Sequence, residues 1–285
     1  MSTETNRAEV VWTAPSVASG PPIRIAVFGL GEAGGAIAAD LAAAGIDVHA
    51  YDPRDVPTPA GVVRHAVPVY AVAGADLVCA FTAAADALDA MAQALEAIPP
   101  TAIYADFSTA AAGLKTRLGA IAGTVGIRFA DVALMAPVPG KGSRTPALAS
   151  GSGARRVVEV LAAAGMPIEY SGERAGQAAT RKLLRSIVIK GLAAIVIESM
   201  QAAESAGLAD ETWGNLVDQV TAADEAFLRR IVDGTYRHSL RRLHEMEATA
   251  DMLRELGVDA VMTRATVESL RRIQRGAAKV LLPGS

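Results

Sequence analysis

Lys182, Ser186 and Lys190 recur at every fourth residue in "RKLLRSIVIKG", residues 181–191, which at helical spacing places them on one stripe. Their neighbours Leu183, Leu184, Ile187, Val188 and Ile189 are apolar, so the stripe interrupts a surface that a core helix would keep uncharged. A lysine so placed can move a proton if burial and a neighbouring cation lower its pKa. Lys182 and Lys190 are such neighbours, and Ser186 between them offers a hydrogen-bond partner. The competing reading is a solvated rim of cations paired with carboxylates such as Glu198 or Glu204.

A second constellation is suited to a dinucleotide. Gly29, Gly31 and Gly34 form G-x-G-x-x-G, with Leu30, Glu32 and Ala33 between them, directly after the apolar run "IRIAVF". The first glycine permits the tight turn, the second lets N–H groups approach a pyrophosphate, and the third lets helix and sheet pack closely. Asp52 ends the next strand candidate, about twenty residues on, where a carboxylate bonds ribose hydroxyls. Asp52 favours NAD because it repels a 2′-phosphate; Arg54 keeps NADP open because it could pair with one. Phe81 and Thr82, at the end of "ADLVCAFT", complete the expected cofactor-binding set.

These residues need a scaffold, and the rest of the chain supplies one. Strands are predicted at "IRIAVFG", "IDVHAYD", "ADLVCAFT", "TAIYADFS" and "IRFADVAL", alternating with alanine-rich helical stretches such as "ADALDAMAQALEAI". That alternation predicts an α/β fold, an N-terminal Rossmann doubly wound parallel sheet, followed by an all-α C-terminal domain. "APVPGKGSRTPALASG" reads as a functional loop leading into a last short strand at "MPIEYSG", after which strand signals stop. The expected organisation is a disordered tail over 1–22, a dinucleotide-binding domain over 23–172 and a helical substrate and dimerisation domain over 173–285.

Composition narrows the partners. A net charge of −3 over 285 residues, with a pI near 5.9, gives no basic excess for nucleic acid. No apolar run suits a signal peptide or a membrane span, and the single cysteine, Cys79, allows no intrachain disulfide, so the expectation is a cytoplasmic protein acting on a small molecule. The apolar circumference of "IVIKGLAAIVIESM" predicts a homodimer. In "RHSLRRLHEMEATAD", His238, Arg241 or Arg242, and Glu245 form a polar stripe that could hold an anionic substrate tail or could be a solvated, salt-bridged face. "HEME" at His244 is not H-E-x-x-H, and no Cys/His spacing suits zinc, so no metal is expected.

The order "GLGEAG", then "DFST" at Asp106 to Thr109, then a glycine-rich loop, then a lysine on a long helix resembles the β-hydroxyacid dehydrogenase superfamily, which includes 6-phosphogluconate dehydrogenase. "RKLLRSIVIKGLAAIVIESMQAAESAGL" and "RHSLRRLHEMEATADMLRELGVDAVMTRAT" resemble the branch with a phosphogluconate dehydrogenase-like C-terminal domain. The resemblance implies a nicotinamide-dependent oxidoreductase acting on a hydroxy acid or its oxo form, with Ser108 and Thr109 at the substrate carboxylate and Lys182 as the proton-transfer residue. It also implies that residues of the helical domain close the site. Arg185 and Ser186 stand in place of the superfamily's two asparagines, and Met135, Ala136 and Pro137 replace its Ser-Gly-Gly loop, which makes Met135 and Arg185 candidate determinants of the substrate alongside His238 and Arg241. The alternatives are reduction of a C=N bond, as by imine reductases, and NAD binding without turnover, as in a sensor.

Overall fold

The computed structural model describes residues 23–277 and 279–284; the tail expected over residues 1–22 lies outside them. Its compact units are Met1–Leu184 and Arg185–Ser285. In the first, the chain runs through β1 (Arg24–Phe28), α1 (Glu32–Ala43), β2 (Asp47–Tyr51), β3 (Val62–Arg64), α2 (Pro68–Val72) and β4 (Leu77–Ala80). It continues through α3 (Ala87–Leu95), β5 (Ile103–Asp106), α4 (Ala112–Thr124), β6 (Arg128–Leu134), β7 (Ala147–Ser150), α5 (Ala154–Ala163) and β8 (Ile168–Gly172).

The strands form one eight-stranded sheet in the order β3-β2-β1-β4-β5-β6-β7-β8. Successive residues of the central strands point to opposite faces, and both faces are buried. Ile25, Val27, Leu77 and Cys79 join a core under α1 and α5, whereas Ala26, Phe28, Val78 and Tyr104 join one under α2, α3 and α4. Strands covered on both sides read as continuous apolar runs, which is why they stood out in the sequence. β1 and β4 are hydrogen-bonded neighbours from which the chain winds outward in opposite directions, so their carboxyl ends frame the crevice where open α/β sheets bind ligands.

The sheet is parallel, as expected, at all but one pairing. β7 pairs antiparallel with β6, Leu134 opposite Ala147, while every other pairing is parallel. The connection over 135–146 contains only a 3₁₀ turn (Gly142–Arg144) and no α-helix to carry the chain across the sheet, so it doubles back. The "ALAS" end of the expected loop is therefore strand. The turn is fastened to α1, since Asp40 Oδ2 accepts the Ser143 N–H at 2.7 Å.

Beyond β8 the described elements are all helical: α6 (Gln177–Ser205), α7 (Ala209–Thr221), α8 (Glu225–Arg237), α9 (Ser239–Glu255) and α10 (Val261–Gln274). The compact units divide inside α6, whose first turn is bonded to strand ends of the sheet. In the second unit, α9 and α10 pack through Leu243, Val267 and Leu270, and Ala202 of α6 meets Leu253 and Ala260. Much of α6 is apolar yet exposed, including Ile187 at 69% and Val188 at 66%. No helix among the described residues is long and apolar enough to cross a membrane.

Candidate functional site

The glycine turn is built as its sequence requires. Gly29 has φ +88°, and a Cβ there would lie 2.4 Å from the Phe81 carbonyl oxygen; at Gly34 a Cβ would lie 1.9 Å from the carbonyl oxygen of Gly29. Only glycine fits either position. Gly31 differs, because a Cβ there would meet nothing nearer than the Arg54 guanidinium at 3.4 Å, leaving its face open. It caps α1, so Glu32, Ala33 and Gly34 present first-turn N–H groups that have no acceptor within the helix.

Asp52 is 4% exposed at the end of β2. Its Oδ2 accepts the Leu30 N–H at 2.7 Å and Arg54 Nη2 at 2.9 Å, and its Oδ1 accepts the Arg54 N–H at 2.9 Å. Burial opposes ionisation of Asp52, but the bonds from Arg54 and Leu30 together outweigh it and hold the carboxyl below its ordinary pKa. Arg64 of β3 braces the same loop by donating to the carbonyl oxygens of Asp52 and Val56. A cavity at the carboxyl ends of β1 and β4 is lined by Asp52, Arg54, Phe81 and Thr82, with Asp86 and Gln93 beyond them. The buried Thr82 hydroxyl has no hydrogen-bond partner among the described residues. An open second glycine, helix N–H groups without an acceptor in the helix, a buried carboxylate and this hydroxyl fit a nicotinamide dinucleotide; of the ten residues expected to bind it, Gly29, Asp52, Arg54, Phe81 and Thr82 line the cavity, and the other five follow Gly29 into the start of α1.

The expected substrate residues are only partly gathered. Lys182 Nζ donates to Thr109 Oγ1 at 2.9 Å, which joins the first turns of α6 to the segment after β5. Thr109 is exposed and Lys182 half-buried. Ser108 instead turns inward, its hydroxyl donating to Asp106 Oδ2 at 2.8 Å. Met135, half-buried after β6, donates its N–H to the Pro146 carbonyl oxygen. Arg185, Ser186 and Lys190 lie farther along α6, past the division between the units. His238 lies exposed between α8 and α9, and Arg241 pairs with Glu245 at 3.6 Å across one turn. Glu198, considered as a partner for the α6 cations, has its oxygens bonded to Met262 and Thr263 of α10.

One cluster went unread in the sequence. Asp106 and Asp131 end up side by side, as register partners on β5 and β6, and Lys115 of α4 reaches between them with none of its surface exposed. Its ammonium lies 2.8 Å from Asp106 Oδ2, 2.9 Å from the Asp106 carbonyl oxygen and 3.3 Å from Asp131 Oδ1. Asp131 Oδ2 accepts the N–H groups of Gly176 and Ala179 at the start of α6, and Ser150 Oγ accepts that of Ala178. The available signal was that Lys115 falls in line with Leu118 and Ala122, the buried stripe of α4.

Comparison with known proteins follows the same division. Residues 24–171 match the family model described as the NAD binding domain of 6-phosphogluconate dehydrogenase, and residues 203–273 match a domain of unknown function. An uncharacterized 28.5 kDa protein of Methanothermus fervidus is 29% identical over 147 residues, which is 52% of this chain and 57% of that one. The chain thus spans little more than half the length of this curated relative. The conserved protein MTH1747, of unknown function and described as structurally similar to 3-hydroxyacid dehydrogenases, is 24% identical with a TM-score of 0.57, covering 89% of this chain and 97% of its own. An imine reductase from Aspergillus terreus, in complex with NADPH4 and dibenz[c,e]azepine, is 22% identical with a TM-score of 0.74, covering 92% and 97%. At these identities both structures are likenesses of fold.

Proposed function

Since the chain belongs to the family of the NAD binding domain of 6-phosphogluconate dehydrogenase, we propose that it is an oxidoreductase that moves a hydride between NAD(P) and a hydroxy acid or its oxo form, with Lys182 as the proton-transfer residue. The supporting observation is the 2.9 Å contact between Lys182 Nζ and Thr109 Oγ1 at the same sheet edge as the dinucleotide crevice. NAD(P), when bound, supplies the hydride acceptor or donor. The glycine turn and Asp52 hold its pyrophosphate and ribose. Thr109 orients the substrate carboxylate, with Ser108 held behind it by Asp106, and the neutral Lys182 amine takes the hydroxyl proton as the carbonyl forms. In reduction the Lys182 ammonium returns that proton to the oxygen.

A second reading is reduction of a C=N bond, favoured by the likeness of fold to imine reductases. Turnover of NADH and NADPH with a panel of oxo acids and imines, and of NAD and NADP with hydroxy acids, separates the two. Binding of cofactor without turnover of any compound would favour the sensor. In the hydroxy-acid reading, Lys182→Met lowers turnover by roughly 10² to 10⁴ and leaves NAD affinity and thermal stability near wild type. Full activity in that variant ends the reading. Lys190→Met is made in parallel: an equal loss there means that the stripe clamps an anion and the acid–base role lies elsewhere. The working form is a homodimer, supported by the exposed apolar surface of α6.

A further inference from the structure

Lys115 touches neither the dinucleotide crevice nor solvent, yet its ammonium is the one cation paired with two buried carboxylates among the described residues, hydrogen-bond close to Asp106 and an ion pair to Asp131. A buried ion cluster is a costly way to fill a core, since apolar side chains of similar volume are often as stable or more so. What distinguishes this cluster is what its two carboxylates hold. Asp106 holds Ser108 by both its hydroxyl and its backbone N–H, and so fixes the segment that ends in Thr109. Asp131 holds the backbone N–H groups of Gly176 and Ala179, and so fixes the helix start that carries Lys182. The two partners of the Lys182–Thr109 contact are thus each tied to one carboxylate, and Lys115 ties the carboxylates to each other.

We propose that Lys115 is a positioning residue, which sets the Lys182–Thr109 contact by bridging Asp106 to Asp131. Asp106 and Asp131 are adjacent across paired strands, so without the ammonium one must turn away or take up a proton. Turning away of Asp106 frees Ser108, and turning away of Asp131 frees the first turn of α6; the contact shifts either way. The fully buried ammonium cannot reach substrate, so its effect on the reaction passes through Lys182. The role assigned to that effect rests on the proposed function, whereas the bridge itself can be tested without any reaction.

The test uses the full chain with its lysines reductively ¹³C-methylated, and follows the titration of each methylated amine by NMR. Lys182 is assigned by loss of its signal in Lys182→Arg, and Lys141 and Lys279 serve as internal references. In Lys115→Met the Lys182 amine, whose charged form loses Thr109 Oγ1 as acceptor, is expected to titrate at lower pH, with the references unmoved. Lys115→Met/Asp106→Asn restores the net charge of the cluster without restoring the bridge, and it carries the test if the single variant does not fold. A Lys182 shift that persists in the double variant supports the bridge. Return of Lys182 to its wild-type titration in the double variant overturns it, leaving only a through-space charge effect. A folded Lys115→Met protein with lowered thermal stability and an unmoved Lys182 overturns it too, leaving Lys115 with a structural role alone. Loss of the catalytic reading, through a fully active Lys182→Met, leaves these titrations informative.

Discussion

Asp52 and Arg54 share one charge balance, and it decides the expected cofactor. Arg54 could in principle serve a 2′-phosphate, but its guanidinium is engaged by Asp52, with Nε and Nη2 at 3.1 and 2.9 Å from the two oxygens. A 2′-phosphate would have to draw Arg54 away and would then face a buried carboxylate held in its ionised form. We expect NAD to bind at least tenfold more tightly than NADP, about 1.4 kcal/mol, and Asp52→Ala to narrow or invert that ratio by releasing Arg54. Calorimetric titration of both dinucleotides measures it, and a tenfold preference of the native chain for NADP would overturn the assignment. This residue-scale logic was visible in the sequence because turn, helix start and carboxylate follow one another within a single βαβ unit. Lys115 was less legible: its place in line with Leu118 and Ala122 was the one signal of burial, and its carboxylate partners come from two strands distant from it in sequence.

Helices of the second unit are tied by a similar device at lower charge. The N-cap position of α10, Ala260, has no side-chain cap, and Glu198 of α6 supplies one from outside, accepting the Met262 and Thr263 N–H groups at 2.6 and 2.8 Å and the Thr263 hydroxyl at 2.6 Å. Burial opposes the charge on Glu198, yet these bonds and nearby Arg264 hold its pKa below the ordinary 4.5. A carboxylate with a depressed folded-state pKa contributes stability that is complete above its unfolded value and lost as pH falls through the folded one. Glu198→Ala should therefore lower stability by about 1–3 kcal/mol at neutral pH, and the gap from wild type should narrow as pH falls below 4.5 and through the lowered folded-state pKa. Thermal unfolding across that range checks it; a gap independent of pH would mean that the side chain acts by packing. The same scale shows why some elements were legible and others not. β1, β4, β5 and β6 are largely apolar runs that burial on both faces makes conspicuous, and β2 alternates buried with half-buried residues, whereas β3 is three residues at the sheet edge and β7, "ALAS", has little strand propensity of its own. Their strand identity comes from neighbours, from β2 and from β6 and β8.

At the scale of the whole molecule, the exposed side chains of α6 predict association. Leu184, Ile187, Val188, Ile195 and Ile197 are each at least half exposed, more apolar surface than one helix of a monomer commonly leaves in water. Light scattering should give a dimer at micromolar concentration, and Ile187→Glu should shift it towards monomer; a native monomer would refute the dimer. The ties between sheet and α6 also bear on synthesis. A ribosome that has delivered the chain as far as Gly172 has released every strand, yet the N–H groups of Gly176, Ala178 and Ala179 that Asp131 and Ser150 will hold are still to come. Until they emerge, the two carboxylates share one lysine, and Asp131 Oδ2 has the Ser150 hydroxyl but not the two helix N–H groups that complete its shell. The family module ends at residue 171, but the nascent domain is expected to settle only once translation has passed the first turn of the next helix, so a chain ended at 171 should be less stable than one ended after Ala179.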